Sequence, residues 1–314
     1  MRRNDFLIIN TFVSLLFVVF TLSACDSKEE NVVPITIPTD VECCSAEETF
    51  LAYTFLHNGY LKEIESLRDT IDGKYALSVY SRSGKLHVGY NDIFFALTKI
   101  SNQGYVRDFS VTEITPLMNM SAMGMKHSTP TASESTTYDE SFPAVQHAWV
   151  SFVMSSTEND YWELSYKAST KNQSTIHENS QLEVNAIAAG QAWLKSFKVG
   201  NDTYYLSLVN PTDWQTGRNT IQAYVSKKSS PATTPYALAS ETFTIEIDPR
   251  MPDMSNHTSP DNTPLTKQAD GSYQGNINLT MTGLWRIHLT VKDAEGNIVA
   301  GEEELSSLYW DVTI

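Results

Sequence analysis

Eight of the nine methionines in this 314-residue chain fall into two clusters, leaving only the initiator outside them. The first cluster runs Met118-Asn-Met120-Ser-Ala-Met123-Gly-Met125-Lys-His127, with Met154 following. The second runs Met251-Pro-Asp-Met254-Ser-Asn-His257, with Met281 following. Methionine used only as core filler scatters among apolar positions, because its flexible thioether fits many irregular gaps. Its confinement here points to chemistry. A thioether is a soft, uncharged donor suited to monovalent copper, and it has no proton to lose at acidic pH. An imidazole adds a firmer nitrogen donor that also serves divalent copper.

The first cluster therefore offers four thioethers and an imidazole, and the second offers two thioethers and an imidazole. The candidate metal ligands are Met118, Met120, Met123, Met125 and His127 as the main site, and Met251, Met254 and His257 as a second. The expected metal is copper, with Cu(I) favoured. Met154 is in phase with Val150 and Phe152, and Met281 with Ile277 and Leu279, so each is either a ligand closing a site from across the fold or an ordinary core residue. The competing reading of the clusters is a hydrophobic flap over the end of a domain. Polar Asn119, Ser121 and Lys126 count against it, since buried polar groups need partners.

The elements that must position these residues are strands. Phe243, Ile245 and Ile247 alternate with Thr244 and Glu246, while Trp285, Ile287, Leu289 and Val291 alternate with Arg286, His288 and Thr290. That period of two marks antiparallel strands with one buried face, and it puts Trp162 and Trp285 in the core. Turn signals such as Asp72-Gly73, Ser83-Gly84, Asp270-Gly271 and Glu295-Gly-Asn297 separate the runs. Pro116 and Pro249 directly precede the clusters, and proline cannot donate to a ladder, so the strands are expected to end there with the methionines on loops. Leu61 to Arg68 is read as a strand by analogy with Leu194 to Val199.

The chain also matches itself in order and spacing. Gly89 to Lys99 matches Gly217 to Lys227, Phe109 to Pro116 matches Phe243 to Pro249, and Phe152 to Met154 with Trp162 matches Leu279 to Met281 with Trp285. The fold class expected is all-β, with two tandem immunoglobulin-like β-sandwich domains after a lipoprotein signal peptide. The boundaries read as a signal peptide over 1–24, an acidic tether over 25–46, and sandwich repeats over 47–185 and 186–314.

Arg2 and Arg3, the apolar run Phe6 to Phe20 and small residues before Cys25 form an export signal. Leu22-Ser23-Ala24-Cys25 resembles the bacterial lipobox, which implies that Cys25 is lipidated and anchors the chain to a membrane. The acidic run after Cys25 resembles the signal that directs lipoproteins to the outer membrane, implying a periplasmic or cell-surface location. Net charge is −15, which repels phosphate backbones and argues against a nucleic-acid partner. Cys43-Cys44 is open to a strained disulfide, a soft metal, pairing between chains, or no dedicated role. Most of the remaining histidines (His57, His87, His147, His177 and His288) are expected at the surface, with His288 on the polar face of its strand. No zinc-type H-E-x-x-H spacing, phosphate loop or nucleophile elbow is present, so no enzymatic activity is expected.

The second repeat, from about Tyr204 to Ile314, resembles the YtkA-like and FixH-like domains through Met251-Pro252-Asp253-Met254-Ser255-Asn256-His257 and Met281-Thr282-Gly283-Leu284-Trp285. The first repeat departs from that pattern, and its extra methionines are similar to the loops of CopC-type copper proteins. The resemblance implies copper handling in the cell envelope, with a copper donor or copper-dependent enzyme as partner. The expectation is a lipid-anchored, non-catalytic protein that captures, buffers or hands over copper. The alternative is a surface adhesion lipoprotein whose sandwiches bind protein or glycan without metal.

Overall fold

The computed structural model describes residues 45–188, 191 and 193–314. The expected export signal, Cys25 and the Cys43-Cys44 pair lie outside the described residues. Among those residues the chain is all-β, apart from the helix Ala46–Leu56 and three single 3-10 turns.

Two antiparallel layers enclose the first core. One holds the strands Leu61–Glu63, Tyr75–Arg82, Gly89–Lys99 and Val145–Phe152 in that order. The other holds Ser174–Leu182, Asp160–Thr170, Phe109–Met120 and Met125–His127. Leu77, Val79, Ile93, Phe95, Val150 and Phe152 meet Val111, Trp162, Leu164 and Tyr166 between them, as strict alternation requires. The second core is wrapped by one continuous sheet. Its short strand Thr263–Lys267 pairs with Tyr273–Leu279 on one side and Thr244–Met251 on the other, bridging the two layers.

The two halves use the same local devices. Asn91 donates to the His87 and Gly89 carbonyls at 2.7 and 2.8 Å and accepts from the His87 N–H at 2.9 Å. Asn219 donates to the Gln215 and Gly217 carbonyls at 2.7 and 3.0 Å and accepts from the Gln215 N–H at 3.0 Å. Each asparagine thus ties down the chain entering a long strand. Trp162 and Trp285 are both fully buried.

The halves are joined by backbone pairing. Ser128 N–H donates to Ala232 O at 2.7 Å and Tyr236 N–H to Thr129 O at 3.1 Å. Trp149 and Tyr224 stack across the same joint, with centroids 4.7 Å apart and planes 9° from parallel.

Three expectations need correction, and one element stands outside the sequence reading: the helix Ala46–Leu56, started by a capping box in which Ser45 and Glu48 each bond the other's backbone. The Ser-x-x-Glu signature was visible, but the helix carries apolar residues on two sides. Ala52 and Leu56 are buried while Phe50 and Tyr53 are exposed, so no single stripe reports it. Leu61 to Arg68 is not one strand: Leu61–Glu63 leads into a 3-10 turn, Glu65–Leu67, that sinks Leu67 into the core. The Tyr166 hydroxyl holds the Leu67 carbonyl there at 2.5 Å.

Histidines 147, 177 and 288 are not surface residues. His147 pairs with Asp92 at 2.9 Å, and His177 stacks on Tyr166 beside Asp69. Burial works to raise the Asp92 carboxyl pKa, but the hydrogen bond and charge of His147, with Arg82 and Tyr90, outweigh it and hold the group below its ordinary value. His288 is 9% exposed and contacts Ser306 O at 2.6 Å. The segment around Glu302–Leu308 crosses its strand and covers the side that alternation assigned to solvent. The third correction, to the methionine loops, follows with the site.

Asn219→Ala deletes all three brackets of a buried side chain and is expected to lower stability by about 2–3 kcal/mol, read as a shift in the urea unfolding midpoint at unchanged slope.

Candidate functional site

Neither Pro116 nor Pro249 ends its strand. Pro116 stays in register with Leu164 inside Phe109–Met120, and Pro249 stays opposite Ile287 inside Thr244–Met251. Both lie just before an outer strand joins: pairing with Met125–His127 begins at Met118, and pairing with His257–Thr258 begins at Arg250. On that outer side the missing N–H therefore costs no ladder bond. Met118, Met120 and Met251 consequently sit on strands and not on loops, and only Met123 and Met254 lie in the connecting turns.

In the first hairpin Met118 faces His127, Asn119 faces Lys126 and Met120 faces Met125. Residues directly opposite share a face, as do alternate residues along a strand. Met118, Met120, Met125 and His127 therefore occupy one face of the hairpin, with Asn119 and Lys126 on the other. On the inner side of the same strand Trp162 lies opposite Met118 and Asp160 opposite Met120. Two rows result, His127–Met118–Trp162 and Met125–Met120–Asp160, on the face that looks into the sandwich.

These rows climb out of the core. Met118 is 0% exposed, Met120 is half-buried, Met125 is 55% exposed, and Met123 in the turn Ser121–Met123 is 63% exposed. The turn is braced by Asp160, which accepts the Ser121 N–H at 2.9 Å, and it ends at Gly124 in the left-handed region (φ 61°). The His127 ring stands edge-on to Trp162, with centroids 5.5 Å apart. Its Nδ1 lies 2.8 Å from the Ser128 carbonyl. An Nδ1–H donating to that oxygen leaves the Nε2 lone pair free to bind a metal.

The second hairpin repeats this plan in shorter form. Met251, 3% exposed, faces His257, and Met254 stands 50% exposed at the end of the turn Pro252–Met254, before Ser255 in the left-handed region. The exposed His257 ring lies 6.4 Å from Trp285. Tertiary position thus equates Met118 with Met251, His127 with His257 and Met123 with Met254. The first hairpin's additional row is Met120–Met125.

Met154 and Met281 lie just beyond the ends of their strands at Phe152 and Leu279 and not within them. Their side chains pack against the two cores. Each backbone carbonyl accepts the indole N–H of its tryptophan at 2.9 Å, Met154 from Trp162 and Met281 from Trp285.

Sequence reasoning missed the tryptophans as walls of the site, reading them only as core. It also missed Asp160, and it quoted Gly283 only as part of a motif, with no role of its own. A Cβ built on Gly283 would come within 3.0 Å of Met251 Cε, and its φ is +126°. The glycine in Met281-Thr-Gly283-Leu-Trp285 is thus a space kept for a methionine on the facing hairpin. Among the described residues no group of three His, Cys, Asp or Glu side chains converges on a metal position. Donor chemistry at the hairpins therefore rests on thioethers and single imidazoles.

Fold and site together define a β-sandwich protein carrying a methionine–histidine hairpin at the end of each core. Residues 198–290 match the YtkA-like family model, a span that includes the second hairpin, Gly283 and Trp285. No curated protein matches the chain. Among solved structures the chain is similar to the crystal structure of dimeric latent PorU from Porphyromonas gingivalis, at 10% identity and a TM-score of 0.25. That alignment covers 81% of this chain and 24% of the other, so this chain spans about a quarter of the PorU chain's length.

Gly283→Ala is expected to cost about 1–3 kcal/mol through backbone strain and displacement of Met251. Thermal unfolding measures the loss, and a second change, Met251→Ala, should relieve the part that comes from the clash.

Proposed function

We propose that this protein binds copper, chiefly as Cu(I), on the first hairpin and more weakly on the second, and that it is a non-catalytic carrier which captures, buffers or hands over the metal. The observation that carries this reading is the pair of adjacent rows Met118–His127 and Met120–Met125. They align three thioethers and an imidazole on one face, graded from a dry core to solvent. Soft uncharged donors suit a monovalent soft cation, and a half-buried position limits competition from water. Asp160, ending the second row opposite Met120, adds negative charge for a cation. Met123 at the exposed turn is placed to meet the metal first, while Met118 and Trp162 form the closed back of the site.

The YtkA-like match over residues 198–290 supports the reading for the second half. The parallel hairpins support a duplicated plan in which the first copy has the richer donor set. Leu22-Ser23-Ala24-Cys25 supports a lipid anchor that holds the protein to the outer membrane, facing the periplasm or the cell surface. A copper donor or copper-dependent enzyme would be its partner.

The test is an anaerobic Cu(I) titration of the full chain in detergent micelles against a chromophoric chelator. Combining Met120→Leu, Met125→Leu and His127→Ala is expected to weaken the tighter site by at least about tenfold, or ~1.4 kcal/mol. Combining Met254→Leu with His257→Ala should affect only the weaker one. A wild-type chain that competes no better than a variant lacking both donor sets would overturn the copper reading in favour of a metal-free adhesion protein.

A further inference from the structure

Among the hairpin methionines a sealed set and an open set fall at the same places in both halves, with Met120 half-buried between them. Met118 and Met251, facing the histidines, are 0% and 3% exposed. Met123 and Met254, each third in a 3-10 turn and each followed by a left-handed residue, are 63% and 50% exposed, and Met125 is 55% exposed. Solvent reaches these three side chains and is kept from the two that hold the hairpins to the cores.

We infer that Met123, Met125 and Met254 form a reversible oxidation site at which hydroperoxides convert thioether to sulfoxide, disarming the hairpins as soft-metal sites while leaving the fold intact. In this step the sulfur lone pair attacks the distal peroxide oxygen. The O–O bond breaks as an S–O bond forms, the sulfur gives up two electrons, the proton on the attacked oxygen passes to the departing one, and that oxygen leaves as water or an alcohol. The product presents a hard oxygen in place of a soft sulfur, and monovalent copper discriminates against it. At the turns the new dipole is met by water. At Met118 or Met251 it would be buried without a partner, which is costly, but burial denies the oxidant access there. The loss is uneven. The first hairpin would keep His127, Met118 and half-buried Met120, whereas the second would keep only His257 and buried Met251. The consequence for copper rests on the function proposed above, whereas the oxidation pattern does not.

The experiment exposes the full chain in detergent micelles to hydrogen peroxide and follows single-oxygen additions by peptide mass spectrometry. Met123, Met125 and Met254 are expected to oxidise at least about tenfold faster than Met118 and Met251. At the point where only the fast set has reacted, Cu(I) affinity should fall by at least about tenfold with tryptophan emission and thermal midpoint unchanged, and methionine sulfoxide reductases should restore it. Comparable rates at Met118 or Met251, loss of the fold with the fast set, or undiminished copper affinity after it each overturn the inference. If the unoxidised chain binds no copper, the copper function fails and the order of oxidation alone decides the sulfoxide site.

Discussion

Cross-strand register at the hairpin bases is the constraint on which the rest depends. Side chains on a strand alternate faces, so a slip of one residue between Phe109–Met120 and its neighbours would move Met118 and Met120 to the outside and bring Asn119 inward. Buried residues on the inner partner prevent that slip. Trp162 and Leu164 are both fully buried, and they hold Asp160–Thr170 in place opposite the methionine strand. Donor geometry at the surface is therefore inherited from hydrophobic packing a few residues deeper. The same holds in the second half, where Trp285 and Ile287 are fully buried.

The site is placed where packing gives way to solvent. Each tryptophan ends its core, spends its N–H on the carbonyl of Met154 or Met281, and presents its ring to the histidine of the neighbouring hairpin. Just past His127 the chain enters the joint, where Ser128 and Thr129 pair with Ala232 and Tyr236. The outer strand of the first hairpin is thus fixed at one end by the second half of the molecule and at the other by its turn. A cation held between the hairpin's two strands would meet a frame tied down at its base, with Met123 exposed in the turn Ser121–Met123 above it.

Much of the fold was legible because alternation reports burial directly: Trp285, Ile287, Leu289 and Val291 are inward, as their spacing requires. Legibility failed where one segment answered to two surroundings. The Ala46–Leu56 helix is apolar on both a buried and an exposed side, so its period is blurred. His288 sits on a polar-patterned face that a distant segment covers. A proline ends a strand only where its missing N–H would face a partner, and no outer strand pairs at Pro116 or Pro249 themselves.

By itself, the sequence determined the residue types available for soft-metal chemistry, their restriction to two clusters, the strand periodicity and the tryptophans at its core. Tertiary structure alone decided which methionines are sulfur at a surface and which are core. Met118 and Met123 are equally plausible ligands in a linear motif, yet one is sealed and the other exposed. The reason is that accessibility and cross-strand pairing depend on residues far away in the chain: Trp162 opposite Met118, Gly283 beneath Met251, and the joint beyond His127. Local spacing carries no record of them.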